Sequence, residues 1–221
     1  MDVVITAISN KVVLALIEVI DFDNSENLEL SAFIHAQLQT LKDKLVDEKI
    51  KHGIRNLLRN GVYSPSGRVK PASEFLINAY LTSGQFQSIN PMVDLNNYIS
   101  MSSNLPVSIF DFNKINGPVE LRLGLPTESY VFNNAGHDIK LRDLITLSDD
   151  CGPFGTPVKD SMRCKCFSDC KNALGVIYCA KDLIDRSILR KYLVEWQELC
   201  QTYLRAGQVN IKIMGDEMGS F

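Results

Sequence analysis

The stretch Val12-Val13-Leu14-Ala15-Leu16-Ile17-Glu18-Val19-Ile20 limits the possible architectures more than any other part of this chain. Its length and its β-branched residues favour a buried strand over a helix. It is too short to span a bilayer, and Glu18 interrupts it. Lys11 bounds it on one side and the polar run from Asp21 to Asn27 on the other.

The segments around this strand alternate in texture. Ser25 to Arg59 reads as helical, with Leu28, Leu30, Phe33, Ile34, Leu38, Leu41 and Leu45 returning to one side. Gly53 is the expected division of that helix, and Asn60-Gly61 its stop. A turn-rich stretch, 63–71, leads into a short helix at 72–81 for which Ser73 is the expected cap. A second short helix is expected over Asp94 to Met101. Beyond Gly117-Pro118 short strands follow at 119–123, 130–132, 144–147 and 174–180, then an amphipathic helix from Leu183 to Arg205. A strand at 209–213 precedes a loose Gly/Asp/Ser tail. Helices at both ends of a strand-rich middle predict an α+β fold.

Composition narrows the function classes. With 45% apolar residues the chain can build a core, which excludes a disordered segment. Lys+Arg of 23 against Asp+Glu of 26 gives a net charge of −3, so any nucleic-acid role must rest on a local patch or a partner. The six cysteines all lie in the last third of the chain, unlike a small disulfide-stapled secreted domain. Asp2 stands where a signal peptide would carry positive charge, and the expected location is the reducing cytoplasm, with no membrane partner.

Familiar catalytic signatures are absent: there is no G-x-S-x-G, Walker loop, G-x-G-x-x-G or H-E-x-x-H. Only His35, His52 and His137 are present, and each reads as a surface or structural residue. Cys164, Cys166 and Cys170 form the densest cysteine cluster, but the one-residue spacing of the first pair is tight for structural zinc. Buried free thiols are the simpler reading, so no metal or other cofactor is assigned.

One window departs from the charge balance. Between 49 and 70, Lys49, Lys51, Arg55, Arg59, Arg68 and Lys70 occur without an Asp or Glu. On a helix Lys51, Arg55 and Arg59 form a single basic stripe, suited to phosphate contacts or to a solvated face. The second unusual segment is Ser88-Ile89-Asn90-Pro91-Met92-Val93-Asp94-Leu95-Asn96-Asn97-Tyr98, followed by Leu105-Pro106-Val107-Ser108-Ile109-Phe110-Asp111-Phe112-Asn113-Lys114-Ile115. Asn and Asp packed between apolar residues are costly to bury unpaired, so they either hold one another or line a polar pocket. Capping of a helix by Asp94 is compatible with both.

At these residues the chain resembles the B3/B4 domain of the phenylalanyl-tRNA synthetase β subunit, and more closely the free-standing B3/B4 proteins of bacteria. The resemblance also rests on Lys70-Pro71-Ala72-Ser73-Glu74-Phe75-Leu76, on Asp149-Asp150-Cys151-Gly152-Pro153-Phe154-Gly155 and on Asp160-Ser161, and it runs from about residue 10 to 205. It implies a single α+β domain over 1–221, with a barrel-like, largely antiparallel β core wrapped by helices, residues 206–221 being a terminal strand and tail.

It also implies a tRNA-associated role. In the synthetase this module hydrolyses tyrosine mischarged onto the tRNA. Asn97 matches the pocket asparagine that helps hold the substrate, and Ser108 stands where the synthetase carries a histidine. The glutamate that recognises the tyrosine hydroxyl would fall near Asp160 to Met162, where there is no Glu. Either Asp160 substitutes for it or the tyrosine preference is lost. If the chain is an enzyme, the expected reaction is aminoacyl-tRNA ester hydrolysis by a positioned water. Asn97, Ser108 and Asp160 would be its catalytic residues. Asn90, Asp94, Asn96 and Asn97 would bind the aminoacyl group, with Asp94 holding the amide network, and Lys51, Arg55, Arg59, Arg68 and Lys70 would meet the RNA. The alternatives are tRNA binding without catalysis, a small-molecule pocket that has lost RNA binding, and a structural interaction domain.

Overall fold

The structure, a computed structural model, describes residues 3–5 and 10–215; the expected tail at 216–221 lies outside the described residues. Val12–Ile20 forms β2, the long apolar strand expected, and both of its long edges are paired. It lies between β9 (Asn172–Ala180) and β10 (Gln208–Met214), and β3 (Val107–Asp111) completes the antiparallel order β10-β2-β9-β3. Burial of β2 and β9 on both faces explains why they read as continuous apolar runs without alternation.

A second four-stranded sheet has the order β1-β4-β7-β8, from Val3–Ile5, Val119–Leu123, Ile145–Asp149 and Gly152–Gly155. Its β1–β4 pair is parallel, while β4–β7 and β7–β8 are antiparallel. Ser129–Val131 (β5) and Asp138–Lys140 (β6) make a separate two-stranded ribbon. The α+β class is therefore correct, but the barrel-like core is not: the two larger sheets remain open, each with two unjoined outer strands. Helices cover the first sheet instead of closure removing its edges. The helix Arg186–Leu204 (α5) packs on β2, and Pro91–Ser103 (α4) packs on β3 and α5.

Two helix boundaries and one cap differ from expectation, each for a local reason. The first helical region divides not at Gly53 but around Leu45–Asp47, between α1 (Leu28–Leu41) and α2 (Glu48–Leu58). Asp47 caps α2 by accepting the Ile50 N–H at 3.0 Å. Gly53 lies inside α2, where a Cβ would come within 2.4 Å of Leu183 Cδ1, so its role is close packing. The helix α3 (Ala72–Ser83) starts after Pro71, and Ser73 is buried in its first turn without acting as the cap. Helix α4 starts three residues before Asp94, with Pro91 at its first position and Asn90 as cap, the pairing that a rigid proline φ and a side-chain acceptor favour.

Candidate functional site

The start of α4, β3 and the loop from Thr156 to Ser168 meet around a hollow of about 610 Å³. Asn90 fixes one corner. Its side-chain Oδ1 accepts the Val93 N–H and its side-chain Nδ2 donates to the Cys166 carbonyl at 3.2 Å, tying the helix to the loop. Asn24, which sequence reasoning did not single out, adds a second tie: its side chain accepts from Met92 N and donates to Phe167 O. It is buried, which its position in a polar run concealed.

The asparagine pair faces this hollow. Asn96 Nδ2 donates to Asn97 Oδ1 at 3.2 Å, and both residues line the cavity wall. Asn96 Oδ1 is buried and has no hydrogen-bond partner among the described residues. Asp94 does not hold this pair, contrary to expectation. It accepts from Ser88 Oγ and from Ile89 N at 2.8 Å, so it braces the approach to α4. Burial raises its pKa despite these donors.

Across the hollow lies Asp160. Its carboxylate accepts the Ser108 hydroxyl at 2.9 Å and the Thr156 N–H at 3.2 Å. Burial pushes its pKa up to about 7, against the lowering effect of these donors and of Lys165. Asp160 is half-buried and borders the cavity. Ser108 is buried and lies behind Asp160, not on the cavity wall, so it is placed to orient the carboxylate.

Val93, Val107, Ile109 and Val158 are among the apolar residues of the wall, Asn133 and Asn134 add further amides, and Arg68, Lys70, Lys159 and Lys165 bring positive charge. Asp160 is the only carboxylate among the residues lining it. Phe75 and Phe167 stand exposed at the cavity, with Lys70 Nζ 5.2 Å from the Phe75 ring centroid and Lys114 Nζ 5.0 Å from that of Phe167.

The expected basic set splits. Arg68 and Lys70 reach the hollow, whereas Lys51, Arg55 and Arg59 do not line it. Lys51 pairs with Glu48 at 2.8 Å, and Arg59 donates to Asn56. Arg55 forks onto the buried Glu74 carboxylate through Nε at 2.7 Å and Nη2 at 2.6 Å. Lys159 and Lys165 were missed because they sit far along the chain from the basic window, and only folding brings them to Arg68.

The cysteine cluster has another environment. Cys164 and Cys166 flank Lys165, which makes an isolated bridge to Phe110, and both thiols are buried and free. A hydrogen bond with Cys170, then burial, raises the Cys166 thiol far above its ordinary pKa. Among the described residues no group of three or more His, Cys, Asp or Glu side chains is arranged to hold a metal ion. Among them, too, no helix is long and apolar enough to cross a membrane.

Comparison with known proteins agrees with the motifs around this cavity. The model of the B3/4 domain matches residues 66–189, which include α3, α4, β3 and the Thr156–Ser168 loop. The chain belongs to the B3/4 domain family.

Outside the family model, this B3/4 protein is similar to phenylalanine–tRNA ligase β subunits. That of Shewanella oneidensis is 27% identical over 86 residues, which make up 39% of this chain and 11% of that protein. That of Nitrosospira multiformis is 30% identical over 72 residues, 31% of this chain and 9% of the relative. The matched stretches thus span about a tenth of these relatives. A solved N-terminal fragment of the phenylalanyl-tRNA synthetase β subunit from Pyrococcus horikoshii aligns with 96% of this chain and 50% of its own, at 13% identity and a TM-score of 0.46.

Proposed function

We propose that this B3/4 protein binds the aminoacylated end of a tRNA and hydrolyses its ester bond with a water activated by Asp160. The observation that carries the reading is the single carboxylate, raised toward neutrality, in a wall otherwise made of asparagines, apolar side chains and cations. A base whose pKa lies near the working pH combines a usable ionised fraction with a strong pull on the proton. Cations around the cavity suit a polyanion, although the chain as a whole is acidic.

In the proposed reaction the Asp160 carboxylate takes a proton from the water as its oxygen bonds to the ester carbonyl carbon. The bond from that carbon to the ribose oxygen then breaks, and the departing oxygen takes the proton back from Asp160 to become the ribose hydroxyl, which restores the carboxylate. Ser108 is a positioning residue, since it holds the carboxylate and does not line the cavity. Asn96 and Asn97 orient the aminoacyl group from the cavity wall. Amides gathered on the wall of an open hollow support a ligand-binding reading over a purely structural domain.

A panel of mischarged aminoacyl-tRNAs incubated with wild type, Asp160→Asn and Asn97→Ala tests the reading. Faster release by wild type than by both variants is expected for at least one aminoacyl group. Equal slow release by all three would remove the catalytic assignment. Tight, salt-sensitive binding without release would leave a tRNA-binding module.

A further inference from the structure

A second hollow of about 950 Å³ adjoins the first, and Arg68, Phe75, Asn133 and Lys159 line both. They form the partition between the two spaces. Arg68 and Lys159 have no acidic partner among the described residues, while the other cations of the second hollow do. Lys140 pairs with Asp138 at 3.3 Å and Arg142 with Asp143 at 3.7 Å. The partition therefore holds two like charges with nothing to neutralise them. Burial and the nearby Arg68 guanidinium lower the Lys159 ammonium below its ordinary pKa. An anion between them would relieve this repulsion.

The same place carries flat apolar surface. Lys159 Nζ lies 3.8 Å from the centroid of the Phe132 ring, and His137 stacks beside Phe132 at an interplanar angle of 27°. Tyr63 and Phe75 also line the second hollow. Lys159 and His137 already pack on the half-buried Phe132, whereas Phe75 is exposed. A cation pair beside an exposed ring suits a single-stranded nucleic acid, whose phosphates take the charge and whose bases take the ring face.

We infer that the second hollow is a nucleotide site, in which a phosphodiester sits between Arg68 and Lys159 and an unpaired base stacks on the exposed Phe75. It deepens the proposed function and rests on it: the strand enters through the second hollow and delivers its 3′ end over the partition into the first. Lys159 and Phe75 belong to no earlier set of expected site residues.

The test is fluorescence anisotropy of the full chain with a labelled four-nucleotide RNA ending in cytidine-cytidine-adenosine. The same 3′ sequence paired within the blunt stem of a longer RNA hairpin, and adenosine monophosphate as competitor, separate an unpaired strand from a duplex and from a free nucleotide. The inference expects the single strand to bind, the duplex to bind at least tenfold more weakly, and the mononucleotide to compete only at far higher concentration. Arg68→Gln with Lys159→Gln should weaken binding at least tenfold and flatten the log K against log salt slope by about 0.7 per lost phosphate contact. Phe75→Leu keeps apolar volume while removing the exposed ring, so its loss of affinity reports stacking; thermal melts of each variant check folding. Equal affinity of wild type and both variants, or equal binding of strand and duplex, would overturn the inference, and efficient competition by the mononucleotide would replace the strand with a free nucleotide. Hydrolysis of 3′-aminoacyl-adenosine, which lacks phosphate, by wild type but not Asp160→Asn supports the proposed function independently. Ester hydrolysis without strand binding would therefore sink only the second-hollow assignment, and strand binding without hydrolysis only the catalytic one.

Discussion

Ser108 reaches Asp160 from behind: its hydroxyl donates to the carboxylate at 2.9 Å while Asp160 itself borders the cavity. The serine thus acts on the pKa of its neighbour, because a donor to the ionised form favours it. Ser108→Ala should move the midpoint of the pH–rate profile above the value of about 7 expected for wild type. Release should then fall more at pH ~6.5 than at pH ~8.5, the acid limb belonging to the base. An unchanged midpoint with a uniformly lower rate would mean that the hydroxyl has another role.

Asp160 also couples folding to pH. Below its ordinary value of 3.8 the carboxyl is protonated in folded and unfolded chains alike. Between 3.8 and about 7 the folded chain keeps a proton that the unfolded chain has released, so this group's contribution to stability falls as pH rises. Asp160→Asn keeps an acceptor for Ser108 and Thr156 but cannot ionise. Urea midpoints at pH ~4.5 and ~8 should therefore differ less in the variant than in wild type. Parallel losses in both would show that the carboxyl is not raised.

Arg55 and Glu74 fasten α2 to α3, whose N-terminal turn carries Phe75 to the cavity. Arg55→Ala would strand a buried carboxylate and should cost about 3 kcal/mol by chemical denaturation. Arg55→Lys loses the two-pronged geometry and should recover only part of this. If Arg55→Ala were neutral for stability yet weakened RNA binding, the residue would be a phosphate contact after all.

Gly175, in the middle of β9, is pressed by Trp196 Cη2 and Ile17 Cγ2, which would come within 2.4 and 2.5 Å of an added Cβ. Gly175→Ala should push α5 away from the sheet and destabilise by about 1–3 kcal/mol. Trp196 is the chain's single tryptophan, so its fluorescence reports the shift directly. An unaltered spectrum and denaturation midpoint would show that the sheet yields there.

Much of this fold could be read from the sequence, because apolar periodicity encodes burial locally. Val12–Ile20, the strand ending at Ala180 and the helix reaching Leu204 all fall where patterning puts them. What patterning missed were competitions between neighbours. Asn90 with Pro91 outbids Asp94 for the cap, and Asp47 divides the first helical region where Gly53 does not. The cavity was legible on the α4 side through its dense amides. It was not legible on the other side, since Lys159 and Lys165 meet Arg68 only after the chain has folded. Arg55 shows the converse: its partner Glu74 lies just beyond the acid-free window, so counting charges along the chain made it look available.

Clustering four cations at one cavity of a chain with a net charge of −3 leaves the excess negative charge elsewhere, and the molecule is an electric dipole. A polyanion approaching at low ionic strength would be turned toward the correct face before touching it, and other approaches would be repelled. At physiological salt, where fields fade over about 8 Å, this guidance acts only during the last steps of an encounter. Added salt should thus slow arrival more than it hastens departure.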